Sequence, residues 1–211
     1  MTGSGLPDER YTAEALPYVR AGMMVCQYSI DGGDQGMELN MQLLNRLLAS
    51  FQKAEAGTIN GRIALDYVLD KFPDVDMERI YSAGHSSSGT ASLLLASTDS
   101  RIKKCVAYAP ICFLDRRLGE VINHPDSQEI EGLNEYVRDW SPHRRVKYLQ
   151  CPVLLFHSRD DRNEPFKNTE DFANLVKASG NVVRMVFAEK GGHYQSMIDQ
   201  GIPTAIKWLK E

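Results

Sequence analysis

This 211-residue chain predicts an α/β domain, three layers deep, around a mainly parallel sheet of about five strands. Three observations point there. Continuous apolar runs of strand length, such as Cys151 to His157, alternate with segments of helical period. A glycine-flanked serine, Ser86, stands where a strand turns sharply into a helix. A carboxylate and then a histidine follow in chain order. Each sits just past a later strand, at the edge where an open α/β sheet collects reactive groups.

Taken in order, Thr12 to Ala21 reads as a helix ended by Gly22, with Pro17 weakening its interior. Gly22 to Ile30 is an apolar run read as the first strand. Met37 to Ala54 places Leu39, Leu43, Leu44, Leu47, Leu48 and Phe51 at helical spacing. Thr58 to Phe72 repeats the theme with Ile59, Ile63, Leu65 and Val68. These stripes are core faces. The strand that leads to Ser86 begins near Ile80, after the polar entry Asp76-Met77-Glu78-Arg79, and Thr90 to Ala96 continues as a closely packed helix. Ile102 to Ala109 is another buried strand, and it delivers Pro110 to Phe113 to the reactive edge. Residues 113–149 are polar and helix-prone, longer than ordinary βα connections, and are read as a small helical lid inserted in the single domain 1–211. That insertion carries Asn123-His124-Pro125-Asp126, Tyr136 and Trp140, more consistent individually with surface packing than with a pocket wall. The Cys151–His157 strand, a helix from about Pro165 to Ala178, the strand Val182 to Ala188 and a closing helix through Trp208 complete the alternation.

The chemistry lies in the turns. A serine hydroxyl is a weak nucleophile unless a base takes its proton, and a tight strand-to-helix turn lifts Oγ clear of the sheet. Small residues are required two before and two after such a serine, and Gly84 and Ser88 fill those places. The triple Ser86-Ser87-Ser88 leaves Ser88 as a competing nucleophile, and a loop or helix cap is the plainer alternative. Asp161, on the loop Ser158 to Pro165, is placed to orient an imidazole, with Asp160 as the competing acid. His193, in Gly191-Gly192-His193, occupies the loop after the last strand. His157 precedes the acid and is read as structural, and His85 as packing beside the turn. Asp160, Asp161 and Glu164 resemble a metal cluster only superficially, since a solvated turn is commoner, so no metal or other cofactor is expected.

These residues resemble the C-terminal part of an α/β-hydrolase of the prolyl oligopeptidase and dienelactone hydrolase type. Four segments carry the likeness: Asp76 to Gly89, Ser141-Pro142 leading into Cys151 to His157, the acid loop ending at Pro165, and Gly191-Gly192-His193. It covers essentially everything from Ala13 onward. In such enzymes the acid lies four residues after the histidine that ends its strand, which selects Asp161. The resemblance implies a serine hydrolase that cleaves a carboxylic ester or a peptide or amide bond through an acyl-enzyme. Ser86 would be the nucleophile, His193 the base, Asp161 the orienting acid and the Ser87 N–H an oxyanion donor. Two positions depart from the family, Ser88 and Ser158 each replacing a usual glycine, and Ser86 keeps the family spacing.

The resemblance also implies an N-terminally incomplete sheet, because the family has further strands ahead of Gly22 to Ile30. A gap beside the Ser86 strand would leave buried backbone groups unpaired at roughly 1–3 kcal/mol each, against a domain stability of about 5–15 kcal/mol. The favoured expectation is a piece of a longer protein, or one chain of an oligomer; the alternative is a smaller sheet that has closed ranks. Met1 to Pro7 resembles the loop that supplies the second oxyanion donor, or is an ordinary glycine-rich start. That doubt motivates the second class of function, a hydrolase-fold binding module that has lost catalysis.

The resemblance implies a small ester or peptide substrate, and composition argues against other partners. With 43% hydrophobic residues the chain fills one core, and no run approaches the ~20 apolar residues of a membrane span. The net charge is −4 and the short basic clusters Arg116-Arg117 and His143-Arg144-Arg145 read as solvated surface, which argues against nucleic acid. The start lacks a basic segment followed by an apolar core, so no secretory signal is visible in it, although truncation would have removed one. Cys26, Cys105, Cys112 and Cys151 are read as core thiols, pointing to a reducing, cytoplasmic setting.

Overall fold

A computed structural model describes residues 9–31, 41–125, 127 and 130–211. Four parallel strands form one sheet in sequential order: β1 (Tyr81–His85), β2 (Lys104–Tyr108), β3 (Val153–Ser158) and β4 (Val183–Ala188). The central strands are apolar on both faces because both faces are covered. Cys105, Ala107, Val153 and Leu155 enter one core with Leu93 and Leu95 of α4 (Ser87–Thr98) and Phe172 and Val176 of α8 (Phe166–Ala178). The alternate residues, Val106, Tyr108, Leu154 and Phe156, enter a second core with Ile202, Ala205 and Trp208 of α9 (Ile202–Leu209). Tyr18 of α1 (Glu9–Arg20) joins that layer and hydrogen-bonds the Tyr108 hydroxyl. The period of two along each strand thus divides the core into the expected three layers.

The helices α2 (Met41–Lys53) and α3 (Thr58–Lys71) lie close to the predicted spans, and α1 continues through Pro17 into its last turn at the loss of that residue's N–H. Residues 113–149 contain the short helices α5 (Leu114–Arg117), α6 (Gly119–Ile122) and α7 (Leu133–Trp140), followed by two 3-10 turns. They bury their own small cluster, Ile130, Leu133 and Val137 against Leu48 of α2. The basic clusters here are not simply solvated. Arg116 lies over the Phe113 ring and binds Asn168 and Asp171, while Arg145 lies over Trp140.

Three expectations are corrected. The run at Gly22 to Ile30 is not a strand: residues 23–29 have no ladder, and Ile30 forms an isolated bridge. The sheet therefore has four strands rather than about five. An apolar run becomes a strand only when a neighbour takes its N–H and C=O groups. Among the described residues β1 pairs with β2 alone, and a cavity of about 1110 Å³ lies between β1 and residues 23–28. Cys26, expected in the core, is exposed for the same reason, whereas Cys105, Cys112 and Cys151 are buried free thiols. The closing segment opens with a π-helical stretch, Met197–Gly201, before α9. No helix among the described residues is long and apolar enough to cross a membrane. Met1 to Pro7 and Asp126 lie outside the described residues.

Candidate active site

Each strand delivers one part of the site at its C-terminal end. After β1 the chain turns at Ser86 with φ 55° and ψ −125°, a conformation that costs a non-glycine residue about 1–3 kcal/mol. The turn is held from both sides. The Ser86 N–H donates to the Tyr108 carbonyl at 2.8 Å, and the Ser86 carbonyl accepts from the Thr90 N–H at 3.0 Å. Gly84 is obligatory, because a Cβ there would lie 2.2 Å from the Ser88 carbonyl oxygen. Strand and helix therefore meet backbone to backbone. Ser86 is half-buried at the elbow, while Ser88 is buried in the first turn of α4 at 3% exposure. Ser87 is exposed as the first residue of that helix, where backbone N–H groups have no intrahelical acceptor.

The loop after β3 carries the acids, and they divide. Asp161 Oδ2 accepts from His193 Nδ1 at 2.6 Å and from His157 Nε2 at 2.9 Å. Its Oδ1 accepts the N–H groups of Asn163 at 2.7 Å and Glu164 at 3.1 Å. Burial is the strongest single influence on this carboxyl and opposes its charge. The donors of His157, His193, Asn163 and Glu164 together outweigh burial and hold Asp161 well below the usual carboxylate range. Asp160 faces the other way. Its carboxylate accepts from the Ser158 hydroxyl at 2.6 Å and from the N–H groups of Gly192 at 2.8 Å and Gly191 at 3.3 Å. It braces the histidine loop without touching the imidazole. Gly191, at φ 121°, passes so close to Ser196 that a Cβ would lie 2.9 Å from that residue's Cα.

Because His193 Nδ1 faces a carboxylate, it carries the proton, and Nε2 is left with a free lone pair. Nε2 is buried and has no hydrogen-bond partner, so the Ser86 hydroxyl is not bonded to it in this arrangement. Such contacts are commonly open without substrate and tighten in the reacting complex. His85 supports the loop from below. Its ring lies tilted against the His193 ring, centroids 4.5 Å apart, and its Nε2–H donates to the His193 carbonyl at 2.8 Å. Burial above all, with His193 beside it, pushes the His85 pKa down to about 4, so the ring stays neutral near neutral pH.

The structure thus brings Asp161 and His193 into direct contact and sets Ser86 at the same sheet edge. Asp160, Asp161 and Glu164 do not converge on one point; Glu164 is buried, with Oε1 bound by Asn168 and Oε2 unpartnered. Among the described residues no group of three or more His, Cys, Asp or Glu could hold a metal ion. Two roles escaped the sequence reading, the Asp160 brace and the bond from His157. Their signals were present as a serine where glycine is usual at 158, and as a histidine four residues before the acid. An open pocket of about 490 Å³ beside His193 is lined by Asp160, Arg162, Asn163 and Gly192.

Comparison with known proteins bears on the family and the fold. Residues 11–211 match the model of the prolyl oligopeptidase family. The acylamino-acid-releasing enzyme of Rattus norvegicus is 26% identical over 165 residues, covering 70% of this chain and 22% of that enzyme. The chain therefore spans about a fifth of the length of the curated relative it matches. Among solved structures, the uncomplexed acylaminoacyl peptidase of Pyrococcus horikoshii superposes with a TM-score of 0.57 at 24% identity, over 70% of this chain and 25% of that one. The acetyl ester-xyloside bifunctional hydrolase of Caldicellulosiruptor lactoaceticus gives 0.57 at 21% identity, over 77% and 65%. These structural likenesses establish the α/β-hydrolase fold. The chain belongs to the prolyl oligopeptidase family, a family of serine hydrolases.

Proposed function

We propose that this chain carries the catalytic centre of a serine hydrolase that cleaves a peptide or amide bond, or a carboxylic ester, through an acyl-enzyme. The observation that carries the reading is the Asp161–His193 contact at 2.6 Å, which leaves a buried, unpartnered Nε2 on the same sheet edge as the strained Ser86. Ser86 Oγ attacks the acyl carbon as its proton passes to His193 Nε2, and Asp161 holds the imidazole tautomer and faces the imidazolium that forms. Nε2–H then protonates the leaving group. Water repeats the sequence to release the acid and restore Ser86. The Ser87 N–H, at the start of α4, is assigned to the developing oxyanion. An amide linkage is favoured by the acylamino-acid-releasing enzyme among the relatives. Residues 113–149 are assigned as a lid because Arg117 of α5 binds the Asn163 carbonyl at 2.9 Å, tying that insertion to the acid loop.

The test is fluorophosphonate labelling of the full chain, with Ser86→Ala and Ser88→Ala compared, followed by acyl-amino-acid anilide and short-chain ester assays. Labelling should vanish in Ser86→Ala and persist in Ser88→Ala, with turnover falling about a millionfold in the former. Label retained by Ser86→Ala would overturn the nucleophile assignment. A folded chain that never labels would favour a binding module.

A further inference from the structure

The triad acid has a second histidine, and the arrangement around it is closed. His157 is fully buried at the end of β3. Its Nε2 faces two acceptors, Asp161 Oδ2 at 2.9 Å and the Glu164 carbonyl at 3.1 Å, so Nε2 carries the hydrogen. Its Nδ1 meets the hydroxyl of Thr169, itself fully buried on α8, at 2.7 Å, and accepts that proton. The Phe166 ring closes one side at 5.8 Å. A linear path of donors thus runs from Thr169 through His157 to the same carboxylate oxygen that receives the His193 proton. A histidine that only ended a strand would not need both nitrogens spent in this way.

We propose that His157 is a positioning residue that acts through Asp161 and sets the proton affinity of His193. This rests on the reading of His193 as the base. Its Nε2–H fixes Oδ2 in the plane that His193 needs, and it takes up part of the charge on that oxygen. Less charge then faces His193 Nδ1–H, so the imidazolium is stabilised less and the base is free at lower pH. The other titratable groups around the pair are known. The His85 ring lies tilted against His193, Arg162 lines the open pocket beside it, Asp160 is bound to the loop amides, and Glu164 has its carboxyl buried beside the same loop. None of these donates to Oδ2.

The experiment is the pH profile of kcat/KM on an activated ester for the full chain and for His157→Leu, His157→Gln and Thr169→Val. Leucine removes the donor, so the acid limb should move to higher pH by about half to one unit, with kcat falling roughly 10- to 100-fold and KM little changed. Glutamine retains an N–H at a similar reach and should keep the limb close to that of the parent. Thr169→Val is nearly isosteric, weakens His157 only as a donor, and should shift the limb in the same direction by less. An acid limb unmoved in folded His157→Leu, or equal losses in Leu and Gln, would overturn the proposal. Should His157→Leu not fold, an unmoved limb in Thr169→Val does so instead. Failure of the underlying reading is distinct, because His193→Ala would then keep most of its turnover and fluorophosphonate labelling.

Discussion

The two flanks of β1 are built on different terms. On one side every residue from Tyr81 to His85 is in register with β2, and the ladder continues through the Ser86 N–H to Tyr108. On the other side the described residues offer β1 no strand; Met23 to Tyr28 run extended across a cavity, with Met24, Val25 and Cys26 exposed. The first flank holds a strained serine and a shared carboxylate in place by several hydrogen bonds at each point. The second has no ladder on β1 among the described residues. Reactive geometry is thus concentrated where backbone and side-chain donors coincide, and a change should cost in proportion to how many of them it touches.

The sharpest way to break the comparison is Asp161→Asn, which keeps the shape but forces the wrong imidazole tautomer on His193. A loss in kcat of about ten-thousandfold is expected in protein that is still folded, together with a lower melting temperature from the lost carboxylate. A loss under tenfold would mean that the bonded flank is not the reacting one. Next is Gly84→Val, where the added Cβ meets the Ser88 backbone. Strand and helix must part, and urea unfolding should show a loss of about 3 kcal/mol or more.

A smaller effect follows from His85. Its pKa is lowered from 6.5 to about 4 in the folded protein, so below pH 6.5 the unfolded chain binds a proton that the folded chain refuses. Stability should therefore fall as pH drops from 6.5 toward 4, by on the order of 3 kcal/mol, and this component should level off below that window. The lowered carboxyl of Asp161 acts in the same direction in a lower window. Its contribution is complete above the unfolded carboxylate pKa near ~4 and is lost as pH falls further. Unfolding of His85→Gln across this range checks the first window, since the slope between pH 6.5 and 4 should flatten. The smallest effect belongs to the open flank: Met24→Ser, at 58% exposure, should alter stability by no more than about 0.5 kcal/mol. A loss of several kcal/mol there would show that residues 23–28 carry load that their surroundings do not reveal.

The parts legible in the sequence were those written by burial. β2 and β3 are apolar on both faces, and the loops after β1, β3 and β4 carry Ser86, Asp161 and His193 as their order predicts. The stretch at Gly22 to Ile30 was misread because an apolar run names a surface that seeks cover, not the neighbour that supplies it. Cys26 followed the same error. The choice between Asp160 and Asp161 was open because adjacent side chains on a turn point apart, and only coordinates show that one reaches the imidazole and the other the Gly191 and Gly192 amides. The bond from His157 was hidden more deeply, since its partner Thr169 belongs to a helix whose sequence gives no sign of facing the site.

The Asp160 contacts have a mechanical consequence. One carboxylate, rooted beside Asp161, grips the two amides that immediately precede His193, so both loops are clamped to a common point. Whatever displaces one carries the other along, and the short Asp161–His193 contact survives as the pair travels. The separation left over is the one between His193 Nε2 and Ser86, and in the mechanism proposed above it is the one that must close.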